Sequence, residues 1–363
     1  MDKTIKVGLL GCGTVGGGVL LVLQKNKEII AKKTGCPIEI KTVLVRDKQK
    51  LKPEIKKFKI PVTEDPETIF NDPEIDVVVE LIGRVHPAKE YIEAALRKGK
   101  SVVTANKDVL AEYGDELFAL AAEKKVDFQF EGAVGGGIPI IRPLRSCLAA
   151  NQISGIMGIV NGTTNYMLTR MSQEGLAYAD ALAEAQAKGY AEADPTADVE
   201  GLDAARKIAV LASLAFNTRL TLQDVHVEGI DNLDACDVAY ADDLGYAVKL
   251  LGIAKKHPEY GISANVYPVM LPKDHPLASV NDVYNAVFVN GDAVGDAMFL
   301  GRGAGRMPTA SAVCGDLIDT ARNILAGATG RVPCIAFEKK VMCPPDKEMT
   351  PCYIRMQVQN RPG

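Results

Sequence analysis

The chain has 363 residues, more than one ordinary hydrophobic core holds, so two or more domains are expected. Apolar residues make up 47% and charged residues 24%, and the net charge of −4 offers no electrostatic case for binding nucleic acid or an anionic membrane surface. No apolar run approaches the roughly eighteen residues that span a bilayer, and the opening Met1–Lys6 has no signal-peptide core, so the cytoplasm is the expected compartment. Eight cysteines without a Cys-x-x-Cys pair and four scattered histidines argue against a zinc site or a disulfide framework.

In chain order, Ile5 to Leu10 predicts a short apolar strand that runs directly into Gly11-Cys12-Gly13-Thr14-Val15-Gly16 and an apolar-periodic helix from Val19 to about Ala31. A G-x-G-x-x-G between a strand and a helix is a dinucleotide fingerprint. Its first glycine permits the turn, its second lets backbone approach the pyrophosphate, and its third allows close packing, with Thr14 and Val15 opening the helix. A second strand, about Ile38 to Val45, ends in Arg46-Asp47-Lys48. Arg46 and Lys48 suit a 2′-phosphate and favour NADP(H), whereas Asp47 suits ribose hydroxyls and leaves NAD(H) open.

Strand Val77 to Ile82, helix Pro87 to Arg97 and strand Lys100 to Thr104 continue a βαβ rhythm. They lead to Thr104-Ala105-Asn106-Lys107 at a strand's carboxyl end, where ligands collect in open parallel sheets. A helix from Asp108 to Lys124 and a strand from Asp127 to Glu131 follow, then Glu131-Gly132-Ala133-Val134-Gly135-Gly136-Gly137-Ile138-Pro139. Glycines this dense expose backbone carbonyls, which are hard oxygen donors, and also read as a hinge between domains.

Beyond Ile153 the pattern changes to a strand from Gly155 to Val160, the loop Asn161-Gly162-Thr163-Thr164-Asn165, and helices through Met167 to Gln173 and Tyr178 to Lys188. Strands at Ser263 to Met270 and Asn285 to Asn290 would complete a mixed sheet. A second glycine-rich loop, Leu300 to Ser311, opens a helix from about Thr309 to Leu325.

Between them, Gly189 to Lys207 concentrates five carboxylates, Glu192, Asp194, Asp198, Glu200 and Asp203, ahead of a segment to Phe216 that is apolar almost all round. Asp203 and Lys207 lie one helical turn apart at the mouth of this buried helix. A solvated surface pair is the plain alternative. The positive end of the helix dipole and partial burial both disfavour the lysine's charge, while the carboxylate favours it and fixes its position, the conditions for proton transfer near neutral pH.

Ala185, Gly189-Tyr190-Ala191-Glu192, Asp194-Pro195, Asp198-Val199, Gly201, Asp203 and Lys207 resemble the signature of homoserine dehydrogenases, and the resemblance covers roughly residues 5 to 330. It implies an α/β protein with an N-terminal Rossmann-type parallel sheet (1–130 and about 305–338) and an α+β substrate and dimerisation domain with a mixed sheet (131–304). It implies reversible NAD(P)H-dependent reduction of L-aspartate 4-semialdehyde to L-homoserine, a step toward threonine, methionine and isoleucine. Carried onto this chain, Lys207, Asp203 and Lys107 are catalytic; Gly11, Gly13, Thr14, Val15, Gly16, Arg46, Thr104, Lys107 and Gly303 contact cofactor; and Thr163, Gly189, Tyr190, Glu192 and Asp198, with Asp203 and Lys207, line the substrate pocket. Glu192 would take the substrate ammonium, and Thr163 would donate a hydrogen bond in the pocket. A monovalent cation, Na⁺, would sit on Glu131 and the carbonyls of Val134, Gly136 and Ile138.

Residues 350–363 resemble the first strand of an ACT regulatory domain, of which only the opening is present, so a truncated chain with absent or altered feedback control is expected. The resemblance also implies a homodimer, or a tetramer with an intact ACT domain, acting on a small molecule with no nucleic-acid or membrane partner. Two other readings are another two-domain NAD(P)-dependent semialdehyde dehydrogenase, and a non-catalytic nucleotide-sensing regulator. The second would lack the Asp203 and Lys207 pair or carry a DNA-binding element, and neither is seen.

Overall fold

Two six-stranded sheets organise the chain. The computed structural model describes residues 3–50, 52–331, 336–356 and 358–359. The first sheet contains β1 (Ile5–Leu10), β2 (Ile38–Leu44), β3 (Val62–Thr63), β4 (Val77–Glu80), β5 (Ser101–Thr104) and β6 (Phe128–Gln129). All its pairs are parallel, in the order β3-β2-β1-β4-β5-β6, that of the doubly wound dinucleotide-binding sheet. Every residue of β4 and β5 is buried, because helices cover both faces and Val77, Val78, Val79, Val102 and Val103 can pack on either side.

The helices of this unit are α1 (Thr14–Lys25), α2 (Lys27–Thr34), α3 (Pro53–Lys56), α4 (Glu67–Phe70), α5 (Ala88–Arg97) and α6 (Lys107–Lys124). The single helix expected from Val19 to Ala31 is broken, since Asn26 leaves helical geometry at φ −108°, ψ 19° between α1 and α2. The expected strand Asp127–Glu131 is shorter. Glu131 turns away with Gly132 and Ala133 in a 3₁₀ turn.

The second unit holds β7 (Ile153–Ile159), α7 (Gly162–Glu174), α8 (Tyr178–Ala187), α9 (Thr196–Val199), α10 (Leu202–Phe216), β8 (His226–Val227), α11 (Ala235–Asp243), β9 (Tyr246–His257), β10 (Gly261–Pro272), β11 (Tyr284–Gly291) and β12 (Gly295–Arg302). Its sheet runs β12-β11-β7-β9-β10-β8 and is mixed, antiparallel except where β10 meets β8. Sequence reading missed β9, whose apolar run contains Lys249. The structure buries that lysine and bonds its ammonium to Val280 O at 2.6 Å and Asn281 Oδ1 at 3.0 Å. It also missed β12, an edge strand whose alternating exposed residues end in the glycine-rich loop.

Helix α10 lies between the two units, against α6 on one side and β7, β9 and β10 on the other. That explains its apolarity all round. Gly252 of β9 makes room for it, since a Cβ there would stand 3.0 Å from Ile208 Cβ. The next helix, α12 (Arg306–Ala326), returns to the first sheet and buries Ala310, Val313, Cys314, Leu317 and Ala321 with β1 and α1. Gly18 permits this contact. A Cβ at that position would meet Arg306 O at 2.6 Å and Ala310 Cβ at 2.9 Å.

The return to the first unit ends earlier than residue 338. Gly330 N still donates to Asp127 Oδ1 at 2.8 Å, whereas Phe337 N and Glu338 N donate to Asn217 O in the second unit. Residues 353–356 form no strand: they have no neighbouring backbone to pair with among the described residues, and side chains hold them instead. Tyr353 OH donates to Asp237 Oδ1 at 3.0 Å, and Arg355 Nε lies 2.9 Å from the same oxygen. Gln357 and residues 360–363 of the expected ACT strand lie outside the described residues.

Candidate active site

The carboxyl end of β1 delivers Gly11 at φ +89°, a left-handed turn that L side chains resist. Gly16 stands so close that a Cβ would be 2.3 Å from Gly11 O, while around Gly13 nothing lies within 4 Å of a built Cβ. The open glycine between two crowded ones is the cradle a pyrophosphate needs, with Thr14 and Val15 in the first turn of α1. These residues fit a dinucleotide. Arg46 lies exposed just past β2, and Asp47 accepts Gln49 N at 2.9 Å.

The Thr104–Lys107 motif rests on a buried carboxylate. Glu80, fully buried at the end of β4, accepts from Thr104 Oγ1 at 2.7 Å and from Ile82 N at 2.7 Å. Burial raises its carboxyl above the usual range, and these hydrogen bonds offset part of that rise. Thr104 Oγ1 in turn accepts Asn106 N at 3.0 Å, so the hydroxyl of Thr104, a residue expected to contact cofactor, is committed inside the protein. Asn106 caps α6 through Val109 N at 3.2 Å and donates to Arg84 O at 2.7 Å. Lys107 therefore leaves the first position of α6 from a fixed platform.

A cleft of about 1030 Å³ opens between the units, and α6 and α10 both begin at it. Asp203, in the first turn of α10, meets Lys207 Nζ at 2.6 Å and Lys107 Nζ at 3.4 Å. Lys207 Nζ also donates to Val160 O at 2.7 Å, which leaves the third N–H of its ammonium without a protein acceptor among the described residues. Burial pushes Asp203 up, but the charges of Lys207 and Lys107 and the hydrogen bonds from Lys207 and Asn161 override it and hold the carboxyl at about 2.

Asn161 joins the two acids of the signature. Its Nδ2 donates to Asp198 Oδ1 at 2.7 Å and to Asp203 Oδ2 at 2.9 Å, while its Oδ1 caps α7 through Thr164 N at 2.9 Å. An asparagine immediately before Gly-Thr-Thr is a helix-cap signal, which could have marked it. Burial pushes Asp198 up, offset in part by Asn161 and reinforced by the charge of Asp203.

The loop of Gly189, Tyr190 and Glu192 forms one wall of the cleft. Gly189 takes φ +72° after α8, and the Tyr190 ring packs edge-on against Tyr166 with centroids 4.9 Å apart. Thr163, expected to donate into the pocket, spends its hydroxyl on Tyr190 O at 2.7 Å and so fixes that wall. Glu192 is exposed on the cleft, its carboxylate directed at no protein donor among the described residues.

Glu131 is buried, and its carboxylate accepts from Ile140 N at 2.6 Å, Ile141 N at 2.8 Å and Arg142 N at 2.8 Å. One lone pair on Oε2 remains. Val134, Gly136 and Ile138 are buried as well, and among the described residues no N–H or O–H donates to their carbonyls. Buried carbonyls without donors are costly unless another positive partner takes them, so this set fits a hard monovalent cation. Gly136 also abuts Gly303, since a Cβ there would lie 2.5 Å from Gly303 O.

Comparison with known proteins gives this geometry a family. Residues 139–318 match the family described as homoserine dehydrogenase, and residues 11–131 match the homoserine dehydrogenase NAD binding domain. The homoserine dehydrogenase of Bacillus subtilis is 46% identical over 361 residues, 99% of this chain and 83% of that one. The chain belongs to the homoserine dehydrogenase family. Membership makes it an NAD(P)-dependent oxidoreductase. The crystal structure of a homoserine dehydrogenase from Thiobacillus denitrificans superposes with a TM-score of 0.89 at 48% identity, over 94% of this chain and 79% of that one. A hyperthermophilic archaeal homoserine dehydrogenase solved in complex with NADPH has a TM-score of 0.74 at 28% identity, over 88% of this chain and 98% of that one. Across the family architecture, the two units described above are a parallel Rossmann-type sheet and a mixed sheet. Among the described residues, no helix is long and apolar enough to cross a membrane.

Proposed function

We propose that this chain reduces L-aspartate 4-semialdehyde reversibly to L-homoserine with NADPH as preferred cofactor, on the route to threonine, methionine and isoleucine. One observation carries the reading: Asp203 bridges two lysines that come from separate units and meet in one cleft. Gly11, Gly13 and Gly16 would hold the pyrophosphate of the dinucleotide, whose reduced nicotinamide would supply the hydride. Lys207 donates its remaining N–H to the aldehyde oxygen and delivers the proton there, giving the hydroxyl of homoserine. Asp203 orients that ammonium and, through Lys107, a second cation toward the same oxygen. Glu192 takes the substrate ammonium from the open wall, and Asp198 holds Asn161 in place.

Residues up to about 130 and 306–331 serve the cofactor, and 131–304 serve the substrate. Glu131 with the carbonyls of Val134, Gly136 and Ile138 holds Na⁺, which ties the loop between the units. A homodimer through the second sheet is supported by its outer face. Met157, Phe288, Met298 and Ile253 align across neighbouring strands there, and Tyr267 and Val269 extend the apolar surface.

The test is oxidation of NADPH, then of NADH, on adding aspartate 4-semialdehyde. Rapid loss of NADPH absorbance supports both reaction and preference. A preference for NADH would keep the reaction and move the ribose contact to Asp47, whereas oxidation of neither would overturn the reading.

A further inference from the structure

Lysine is almost never fully buried, yet Lys249 of β9 is 3% exposed and forms no ion pair among the described residues. Its three N–H groups all go to uncharged oxygens: Val280 O at 2.6 Å, Asn281 Oδ1 at 3.0 Å and Asn165 Oδ1 at 3.3 Å. Methionine would fill the same space without a charge to desolvate, so the ammonium is kept for what it holds.

Asn165 extends that hold. Its Nδ2 lies 3.2 Å from Val280 O, 2.9 Å from Asp282 O and 3.1 Å from Tyr284 O. Its backbone oxygen accepts from Thr169 Oγ1 at 2.7 Å, and that hydroxyl accepts from Asp282 N at 3.0 Å. Asp282 has φ +55°, a left-handed backbone that a residue other than glycine adopts under strain. Residues 280–284 are therefore held in a strained course against the polar side of α7.

Both partners of Lys249 lead into the cleft. Asn165 N donates to Asn161 O at 3.3 Å, and the Asn161 side chain holds Asp198 and Asp203. Gly162 and Thr163, between the two asparagines, line the cleft, and so do Val283 and Asn285 beyond the held segment. The two walls touch: at Gly162 a Cβ would fall 3.0 Å from Val283 O. Lys249 itself does not line the cleft.

We propose that Lys249 is a positioning residue of the substrate pocket, its ammonium pinning the first turn of α7 to residues 280–285 and so setting two walls of the cleft. The inference rests on the dehydrogenase reading above. Burial pushes the lysine down to about 8, against the charge of Asp282, which favours the ammonium. From α7, α10, α11, β7, β10 and the turn 276–279, the elements packed on β9, no other titratable group among the described residues acts on it. Below about pH 8 the ammonium gives three donors. Above it the neutral amine gives two and turns a lone pair toward an oxygen, so the hold loosens as pH rises through that value.

The test uses the intact protein, homoserine oxidation between pH 6.5 and 9.5, and calorimetric binding of NADPH. At pH 7, Lys249→Met should raise the KM for homoserine about tenfold, with kcat within about threefold and NADPH affinity within about twofold. The ratio of the two KM values should fall toward one by pH 9.5, where the wild type has lost its ammonium too; the titration of homoserine itself cancels from that ratio. Equal KM values at pH 7 would overturn the proposal. A ratio that stays high at every pH would also overturn it, by showing that only the bulk of the lysine matters, and a parallel loss of NADPH affinity would do so by showing general loosening. A second measurement needs no variant to fold: in the wild type, amide exchange of residues 280–286, corrected for its intrinsic rate, should lose protection about tenfold between pH 7 and 9 while β4 and β5 keep theirs. Constant protection would overturn the proposal. Failure of the wild type to oxidise homoserine with either dinucleotide would instead sink the dehydrogenase reading, and the exchange measurement would still judge the hold of Lys249 on its two walls.

Discussion

Lys207 Nζ lies 2.6 Å from Asp203 Oδ2, one turn apart at the start of a helix that is buried on both sides. The pair is only 12% and 14% exposed, so the solvated surface pair that its spacing alone would allow is not what forms. Removing the ammonium should therefore strike the chemistry. Lys207→Ala is expected to lower turnover by a factor of about 10² to 10⁴ with NADPH affinity intact. Steady-state rates beside calorimetric binding check this, and unchanged turnover would remove Lys207 from the mechanism.

The depressed carboxyl of Asp203 has a consequence for stability. Its folded value of about 2 lies below the ordinary 3.8, so its ionised form stabilises the fold by about 2 kcal/mol above about pH 4. That contribution is lost as pH falls from about 4 toward 2. Asp203→Asn has nothing to lose there, so its melting temperature should fall less steeply than the wild type's across this window. Parallel curves would show that Asp203 is not held ionised.

Gly13 and Gly18 should respond oppositely to alanine. Gly13 has ordinary φ of −78° and open space, so Gly13→Ala should leave the melting temperature unchanged and weaken NADPH binding about tenfold or more. Gly18→Ala drives a Cβ into Arg306 O and should cost about 1–3 kcal/mol of stability by separating α1 from α12. Thermal melts and titrations on the two variants decide it, and a stable Gly18→Ala protein would contradict the close contact.

Glu131 accepts from three backbone N–H groups and has one lone pair left for the proposed cation. Glu131→Gln should lower stability by about 1–3 kcal/mol and abolish any response of activity to Na⁺ over an organic cation at equal ionic strength. A sodium response that survives the substitution would move the cation elsewhere.

Arg46 is exposed past the end of β2, free to reach a 2′-phosphate. Arg46→Ala should raise the KM for NADPH about tenfold and leave that for NADH unchanged. Equal effects on both cofactors would assign Arg46 to something other than the phosphate.

The local chemistry was legible along the chain: the glycine spacing at 11, 13 and 16, the Asp203 and Lys207 pair one turn apart, and the βαβ rhythm that orders the first sheet. Each is a matter of near neighbours along the chain, where spacing alone fixes which side chains share a face. Features that depend on distant segments emerge only from packing. Lys107 reaches Asp203 because α10 packs against α6, and the Thr163 hydroxyl, on the cleft wall, donates to Tyr190 O because the loop after α8 lies beside it. The buried Lys249 made β9 unreadable as a strand, since its partners Val280 and Asn281 lie some thirty residues away. Asn285 could not have been singled out at all. Nothing near it in the sequence distinguishes it, and its buried Oδ1 is left without a hydrogen-bond partner among the described residues only once Gly162 and Gly303 fold against the side chain, because hydrogen-bond satisfaction is a property of the packed chain.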